Sequence, residues 1–364
     1  MNQKDIIQAK CLDAIGSEKY AGVVLGTGAG KTMLGLKHMH AQYNELTEFL
    51  VVVPKLHIAK EWIKQAAERG WDYLLEQITF TTYLSLYKQK HTYDYVYFDE
   101  CHNAKSKHGD WIRMYDGPVL GLTGTYPRHA HSESGQVASE FFPKVYEYGI
   151  AEAISDNVLN GYRIYVHMLK LDTKKSIPTS RGQMSEWDSY RMHCNSVDNS
   201  KPAQVMMKRI MRMKAMQSYA TKVRYAKQLL EQQTTKTLVF TDYTEQADQI
   251  CKHTYHSKNR KSAENFDAFV SGDILKLSSV QQIAEGANVP DLKTGIIMHA
   301  YANEKKLAQK IGRFLRLNPN NTSIIHILCY EDTIDVQWMK SALKDFDKTK
   351  IFRYDIRKTL GIIQ

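Results

Sequence analysis

Short apolar runs rich in β-branched residues alternate with longer amphipathic stretches twice along this chain, and no other feature limits the fold so much. A strand that is apolar at every position must be covered on both faces, and the usual cover is a pair of helical layers over a parallel sheet. In the first region the runs are "YAGVVL" (20–25), "FLVVVP" (49–54), "QITF" (77–80), "YDYVYF" (93–98) and "PVLGLTG" (118–124). Helical patterns follow from Lys31 ("KTMLGLKHMHAQY") and from Leu56 ("LHIAKEWIKQAAER"). A second region runs through "KTLVFTDY" (236–243), "HTYHSK" (253–258), "DILKLSS" (273–279), "TGIIMHA" (294–300) and "SIIHILCY" (323–330). The expected fold class is therefore α/β with two parallel-sheet domains: 1–145, a crossover strand and helical insertion over 146–235, and 236–364.

The 364 residues are enough for two ordinary domains, each with its own core. The longest apolar runs are strand-sized, well short of the roughly 20 residues of a membrane helix. The first 20 residues mix charges and lack the pattern of a secretory signal, so a cytoplasmic protein with no membrane partner is expected. Five cysteines (Cys11, Cys101, Cys194, Cys251 and Cys329) show neither disulfide nor zinc spacing. Lys and Arg exceed Asp and Glu by 49 to 39, a net charge of +10 that suits a polyanionic partner. Nine basic residues face one acid, Glu231, over 201–236. There, Ile210, Met213, Ala220, Val223 and Leu230 recur at helical spacing, which predicts a packed face with a solvated basic side; phosphate contact is the alternative.

The stretch "GTGAGKT" (26–32) lies where the first strand meets its helix. Gly28 and Gly30 allow close approach of backbone to phosphate, and the unpaired N–H groups of the following helix point at the same anion. Lys31 is placed to reach the β and γ phosphates, and the Thr32 hydroxyl to ligate Mg2+. The strict phosphate-loop pattern has glycine where Leu25 stands, and the shorter G-x-G-K-[ST] arises by chance in about one chain in a hundred of this length. A metal held by such a loop needs a carboxylate on a neighbouring strand end. "YVYFDECH" supplies Asp99 for the metal and Glu100 to orient or deprotonate water.

Together "GTGAGKT", "DECH" (99–102), "TGT" (123–125) and "QKIGRFLR" (309–316) resemble motifs I, II, III and VI of the superfamily 2 helicases and translocases, in order. "VVVPK" (51–55), "TFTTY" (79–83), "LVFTDY" (238–243) and "EGANVP" (285–290) are similar to motifs Ia, Ib, IV and V. The likeness covers nearly the whole chain and is strongest to the compact DNA-type branch of phage helicases, xeroderma-B-type helicases and restriction-enzyme motors. It implies two RecA-like P-loop NTPase domains with ATP and Mg2+ in the cleft between them. It also implies a DNA partner, whether single-stranded, duplex or branched.

Carried onto matching positions, the resemblance implies that Thr27, Gly28, Ala29, Gly30, Lys31 and Thr32 hold the triphosphate, with Gly286 contributing from motif V. Thr32 and Asp99 hold the metal, Glu100 serves the water, and Gln309, Arg313 and Arg316 face the γ phosphate. Gln8 is a candidate for the adenine-reading glutamine, with a helix-surface role as the alternative. His102, Thr123, Gly124 and Thr125 couple nucleotide state to movement. Pro54, Lys55, Thr81, Thr82, Thr241, Asp242 and Ser279 line a groove for nucleic-acid phosphates. The chain departs from the family pattern at Leu25, Lys55 and Asn288. An RNA helicase, or an ATP-switched subunit of a restriction, repair or recombination complex, is the alternative to a monomeric DNA motor.

Overall fold

The computed structural model describes residues 3–26, 29–127, 129–156, 161–180, 182–280, 289–300, 310–311, 314, 322–344 and 346–354. Backbone packing divides the chain into two units, Met1–Asn160 and a second beginning at Gly161. No helix among the described residues is long and apolar enough to cross a membrane.

The first unit opens with helix α1 (Gln3–Ile15) and builds one parallel six-stranded sheet. Its strands are β1 (Tyr20–Leu25), β2 (Phe49–Val53), β3 (Ile78–Thr82), β4 (Tyr95–Asp99), β5 (Val119–Thr123) and β6 (Lys144–Tyr148), in the order β3-β2-β4-β5-β1-β6. All five residues of β2 have no solvent exposure, as a strand covered on both faces requires. Helices α2 (Lys31–Gln42) and α3 (Ala59–Glu68) follow β1 and β2. They meet closely at Gly35 and Trp62: a Cβ on Gly35 would lie 2.4 Å from the Trp62 ring. This order seats β5 between β1 and β4, so the chain segments leaving three adjacent strands gather at one sheet edge.

The second unit holds a parallel seven-stranded sheet and an antiparallel hairpin. Its strands are β7 (Tyr162–Leu169), the hairpin pair β8 (Ile177–Thr179) and β9 (Gly182–Met184), then β10 (Thr237–Thr241), β11 (Thr254–Tyr255), β12 (Lys276–Val280), β13 (Thr294–Ile297), β14 (Ser323–Tyr330) and β15 (Ile351–Tyr354). The sheet order is β11-β12-β10-β13-β14-β7-β15. The segment expected as a crossover strand, β7, therefore sits inside this sheet, paired over its full length with β14 and flanked by β15.

Between β9 and β10 lie α4 (Glu186–Asp198), α5 (Pro202–Ser218) and α6 (Ala220–Glu231). The pattern "VMMKRIMRMKAMQSYATKVRYAKQLLEQ" (205–232) predicts one continuous helix, and the polar stretch before it predicts no element over 186–198. The chain breaks at Tyr219, extended at φ −66° and ψ 139°, because its ring turns into the core against Tyr330 and its hydroxyl donates to Ser189 Oγ at 3.0 Å. The expected packed face forms only in part, with Met213 half-buried. Val223 and Leu230 are buried, whereas Ile210 is 38% exposed and Ala220 is exposed.

A histidine pair joins β7 to β14: His167 Nε2 and His326 Nδ1 are 2.8 Å apart, and His167 Nδ1 meets the Tyr225 hydroxyl at 2.7 Å. Burial holds the His167 pKa down at about 3, helped by the neighbouring imidazole, and holds His326 at about 4. Both folded values lie below the ordinary 6.5, so the unfolded chain takes up protons that the folded one refuses. The stabilisation is complete above pH 6.5 and is lost as pH falls toward 4. Thermal unfolding followed by circular dichroism should show the melting temperature dropping through that window. The double substitution His167→Phe with His326→Leu should lessen the drop, leaving the part owed to buried His38 and His299, and an unchanged slope would contradict the assignment.

Candidate active site

The segment leaving β1 turns tightly, with Ala29 N donating to Gly26 O at 3.1 Å, and enters α2 at Lys31. Gly30 takes φ +91°, a conformation that favours glycine, and a Cβ there would lie 2.5 Å from Gln8 Nε2. No side chain caps α2, so the amides of its first turn remain available to an anion. Thr27 and Gly28 lie outside the described residues, while Ala29 is fully buried and Thr32 half-buried on the first turn.

Gln8 is not a surface residue: it is 2% exposed and donates from Nε2 to Gly30 O at 3.3 Å. Its buried Oε1 has no hydrogen-bond partner among the described residues. A buried acceptor without a donor is costly unless a ligand or water completes it, and an exocyclic amine of a nucleobase is a suitable donor.

Asp99 ends β4 and is 6% exposed. Trp62 Nε1 donates to its Oδ2 at 3.3 Å, and the Tyr83 hydroxyl donates to its carbonyl at 2.8 Å. Glu100 has left-handed backbone, φ 54° and ψ 53°, which costs a non-glycine residue about 1–3 kcal/mol and marks a position fixed by its surroundings. That twist delivers its carboxylate to Lys31, with Nζ 3.1 Å from Oε1. Oε2 lies 3.4 Å from both His102 Nδ1 and Thr123 Oγ1, with the Gly124 amide at 3.5 Å.

The two neighbouring carboxylates titrate apart. Burial raises the Asp99 pKa and the Glu100 charge raises it further, against the opposing pull of Lys31 and Trp62. Burial works in the same direction on Glu100, but Lys31 and His102 outweigh it and hold that carboxyl well below the usual range. A buried aspartate of raised pKa beside an ionised glutamate is a donor set whose crowded charge a divalent cation relieves.

Thr123 ends β5 and joins the groups. Its Oγ1 is 2.8 Å from His102 Nδ1, 3.0 Å from Thr125 O and 3.1 Å from Thr125 N. The Thr125 hydroxyl is buried without a partner among the described residues. The structure thus brings Lys31, Asp99, Glu100, His102, Thr123, Gly124 and Gln8 into connected contact at one sheet edge. Sequence reading did not anticipate Trp62 and Tyr83, which fix Asp99. Tyr83 closes the quoted "TFTTY", and Trp62 sits on the apolar stripe of α3, so only their burial sets them apart.

The remaining expected contacts separate by exposure. Lys55 is exposed after β2, with Pro54 and Thr82 half-buried beside it on the β2 and β3 ends. Thr81 is buried and accepts from Gln89 Nε2 at 3.3 Å. In the second unit Thr241 and Ser279 are fully buried, with Thr241 Oγ1 donating to Ser279 O at 3.4 Å. Asp242 accepts from Gln217 Nε2 at 2.8 Å and faces Lys310 Nζ at 3.9 Å. Burial removes the Thr81, Thr241 and Ser279 hydroxyls from direct contact with a ligand in this conformation. Gly286, Gln309, Arg313 and Arg316 lie outside the described residues.

Gly35 supports the site from behind, because the Trp62 ring that fills its place is the ring that donates to Asp99. Alanine in a helix ordinarily gains about 1 kcal/mol over glycine. Gly35→Ala should instead destabilise by about 1–3 kcal/mol through overpacking, with a matching fall in nucleotide affinity. Chemical denaturation and a fluorescent-nucleotide titration measure both, and a gain in stability would contradict the packing described.

Comparison with known proteins agrees with this geometry. Residues 2–128 match the family model described as type III restriction enzyme, res subunit, and 221–318 match the helicase conserved C-terminal domain. The DNA 3'-5' translocase XPB2 of Sulfurisphaera tokodaii is 24% identical, over 88% of this chain and 80% of its own. The helicase domain of Pyrococcus furiosus Hef superposes with a TM-score of 0.54 at 14% identity, over 93% of this chain and 97% of that one. The type ISP restriction-modification enzyme LlaBIII bound to DNA gives a TM-score of 0.66 at 11% identity, over 98% of this chain. The matched region is 31% of LlaBIII. With both motor halves matched in order and the motif residues of the first gathered at one strand edge, the chain belongs to the superfamily 2 helicases and translocases.

Proposed function

We infer that the chain is an ATP-hydrolysing DNA translocase. The observation that carries this reading is the junction of Lys31, Glu100 and Thr123, in which the nucleotide-binding lysine, the water-directing carboxylate and the motif III hydroxyl share one hydrogen-bonded network. Lys31 and the first-turn amides of α2 hold the phosphates, Gln8 receives the base, and Thr32 with Asp99 holds Mg2+. The bound magnesium nucleotide supplies the phosphoanhydride bond and an electrophilic phosphorus. Glu100, kept ionised, orients a water and accepts its proton. Lys31 can serve either Glu100 or a phosphate. Its transfer to the phosphate leaves Glu100 to His102, Thr123 and the Gly124 amide.

Thr123 has one hydroxyl proton and two oxygen acceptors within 3.4 Å, Thr125 O and Glu100 Oε2, while His102 Nδ1 at 2.8 Å donates or accepts according to its tautomer. It can therefore register the state of Glu100 and pass it to the segment after β5, the coupling role given to His102, Thr123, Gly124 and Thr125. Arg313, Arg316 and Gln309 complete the γ-phosphate environment, with the arginines offsetting charge in the transition state. Pro54, Lys55 and Thr82 present a cation, a hydroxyl and turn backbone to DNA phosphates. The XPB2 likeness favours DNA over RNA. The motor acts as a monomer, in the service of a repair, recombination or restriction machine.

Lys31→Ala should lower steady-state ATP hydrolysis at least about 100-fold, and Arg316→Ala should do likewise while leaving nucleotide binding mostly intact. Turnover should be stimulated by DNA more than by RNA of the same sequence. DNA affinity should fall linearly with salt on a log-log plot. Wild-type turnover in either variant would overturn the site, and stronger stimulation by RNA would overturn the substrate.

A further inference from the structure

Helix α5 buries Met216 and half-buries Val205, Met213 and Ala215, yet turns a further group of apolar residues outward. The more covered positions include Val205, Lys208, Arg212 and Met213 and lead to buried Met216 and Gln217, and Arg212 Nη1 reaches Cys194 Sγ on α4 at 3.7 Å. Away from that side stand Met206, Met207, Ile210 and Met211, at 68%, 55%, 38% and 44% exposure. These positions, i, i+1, i+4 and i+5, form a stripe over two turns. The helix packs on its own unit through Met216 and Ala215 and lays the Lys208 and Arg212 stems along that side, so the exposed Met and Ile residues are surplus to its core, and contiguous apolar surface of this kind marks an interaction face.

The charges around the stripe select the occupant. Residues 201–218 contain five cations (Lys201, Lys208, Arg209, Arg212 and Lys214) and no acid. A second copy, packed stripe to stripe, would set these cations against their own equivalents. DNA is a poor cover for the stripe, which has no aromatic ring for base stacking, and two of the five cations are turned toward α4. Methionine side chains adapt to varied apolar partners. We propose that α5 docks an acidic amphipathic helix of a partner protein, its apolar face on Met206, Met207, Ile210 and Met211 and its carboxylates toward Arg209 and Lys214.

The test uses the full chain and a designed fluorescent helical peptide with leucines on one face and glutamates flanking them. A companion peptide carries lysines in place of the glutamates. Anisotropy titrations should show the acidic peptide binding at least about tenfold tighter than its basic counterpart. Met206→Ser with Ile210→Ser, and separately Arg209→Glu with Lys214→Glu, should each weaken that binding by about tenfold or more. Both variants should keep the wild-type melting temperature and DNA-stimulated ATP hydrolysis, since they change exposed residues outside the nucleotide site. Three results would overturn the proposal: no binding, or equal binding of the two peptides; loss of DNA affinity in the serine variant; or a wild-type dimer in light scattering that the serine variant dissolves.

Discussion

The ion pair between Lys31 and Glu100 organises the first unit's chemistry. Its two charges come from segments leaving β1 and β4, strands that do not touch, and they meet because β5 seats between those strands in a parallel sheet. The pair is largely removed from water, with the Lys31 side chain 14% exposed and that of Glu100 26% exposed. Such a pair is stable only if each partner is further satisfied, and removing one leaves an uncompensated charge. Glu100 has His102, Thr123 and the Gly124 amide for that purpose. Its left-handed backbone is sustained by the same contacts, so strain and charge are held by one arrangement.

That arrangement gives the lysine a choice between two anions, which is a physical basis for switching. While Lys31 neutralises Glu100, the carboxylate is a poor base; on the proposed reading the lysine turns to a phosphate, which would raise the glutamate's basicity and let Thr123 rotate toward it. Asp99 feels both charges but is held in position, by Trp62 from α3 and by Tyr83 through its carbonyl. On the proposed reading, one carboxylate is held still to receive a metal, and its neighbour responds to where the lysine sits.

Much of this was legible in the sequence because it rests on strand ends. Apolar runs ending in "GTGAGKT", "DECH" and "TGT" locate β1, β4 and β5 to within a few residues, and the motif groups follow them directly. The edge strands β6 and β15 were not anticipated, because their half-exposed residues lack an apolar run. Helix α4 carried a local signal, Ser185 capping the Asp188 amide, inside a stretch too polar to stand out. Tertiary burial decided the rest: it turned Tyr219 out of a continuous helical pattern, enclosed Gln8 beside Gly30, and buried Thr81, Thr241 and Ser279. Periodicity could show that α5 has an apolar stripe. It could not show that the neighbouring helix lies on the other side.

Movement along DNA, rather than ATP hydrolysis alone, is what makes a chain of this kind a translocase. A displacement assay measures it directly, with streptavidin on the end of single-stranded DNA and a third strand on duplex DNA as the obstacles. Obstacle release is expected from at least one of these substrates with ATP, and from neither with a nonhydrolysable analogue. DNA-stimulated hydrolysis with no release from either substrate would contradict translocation.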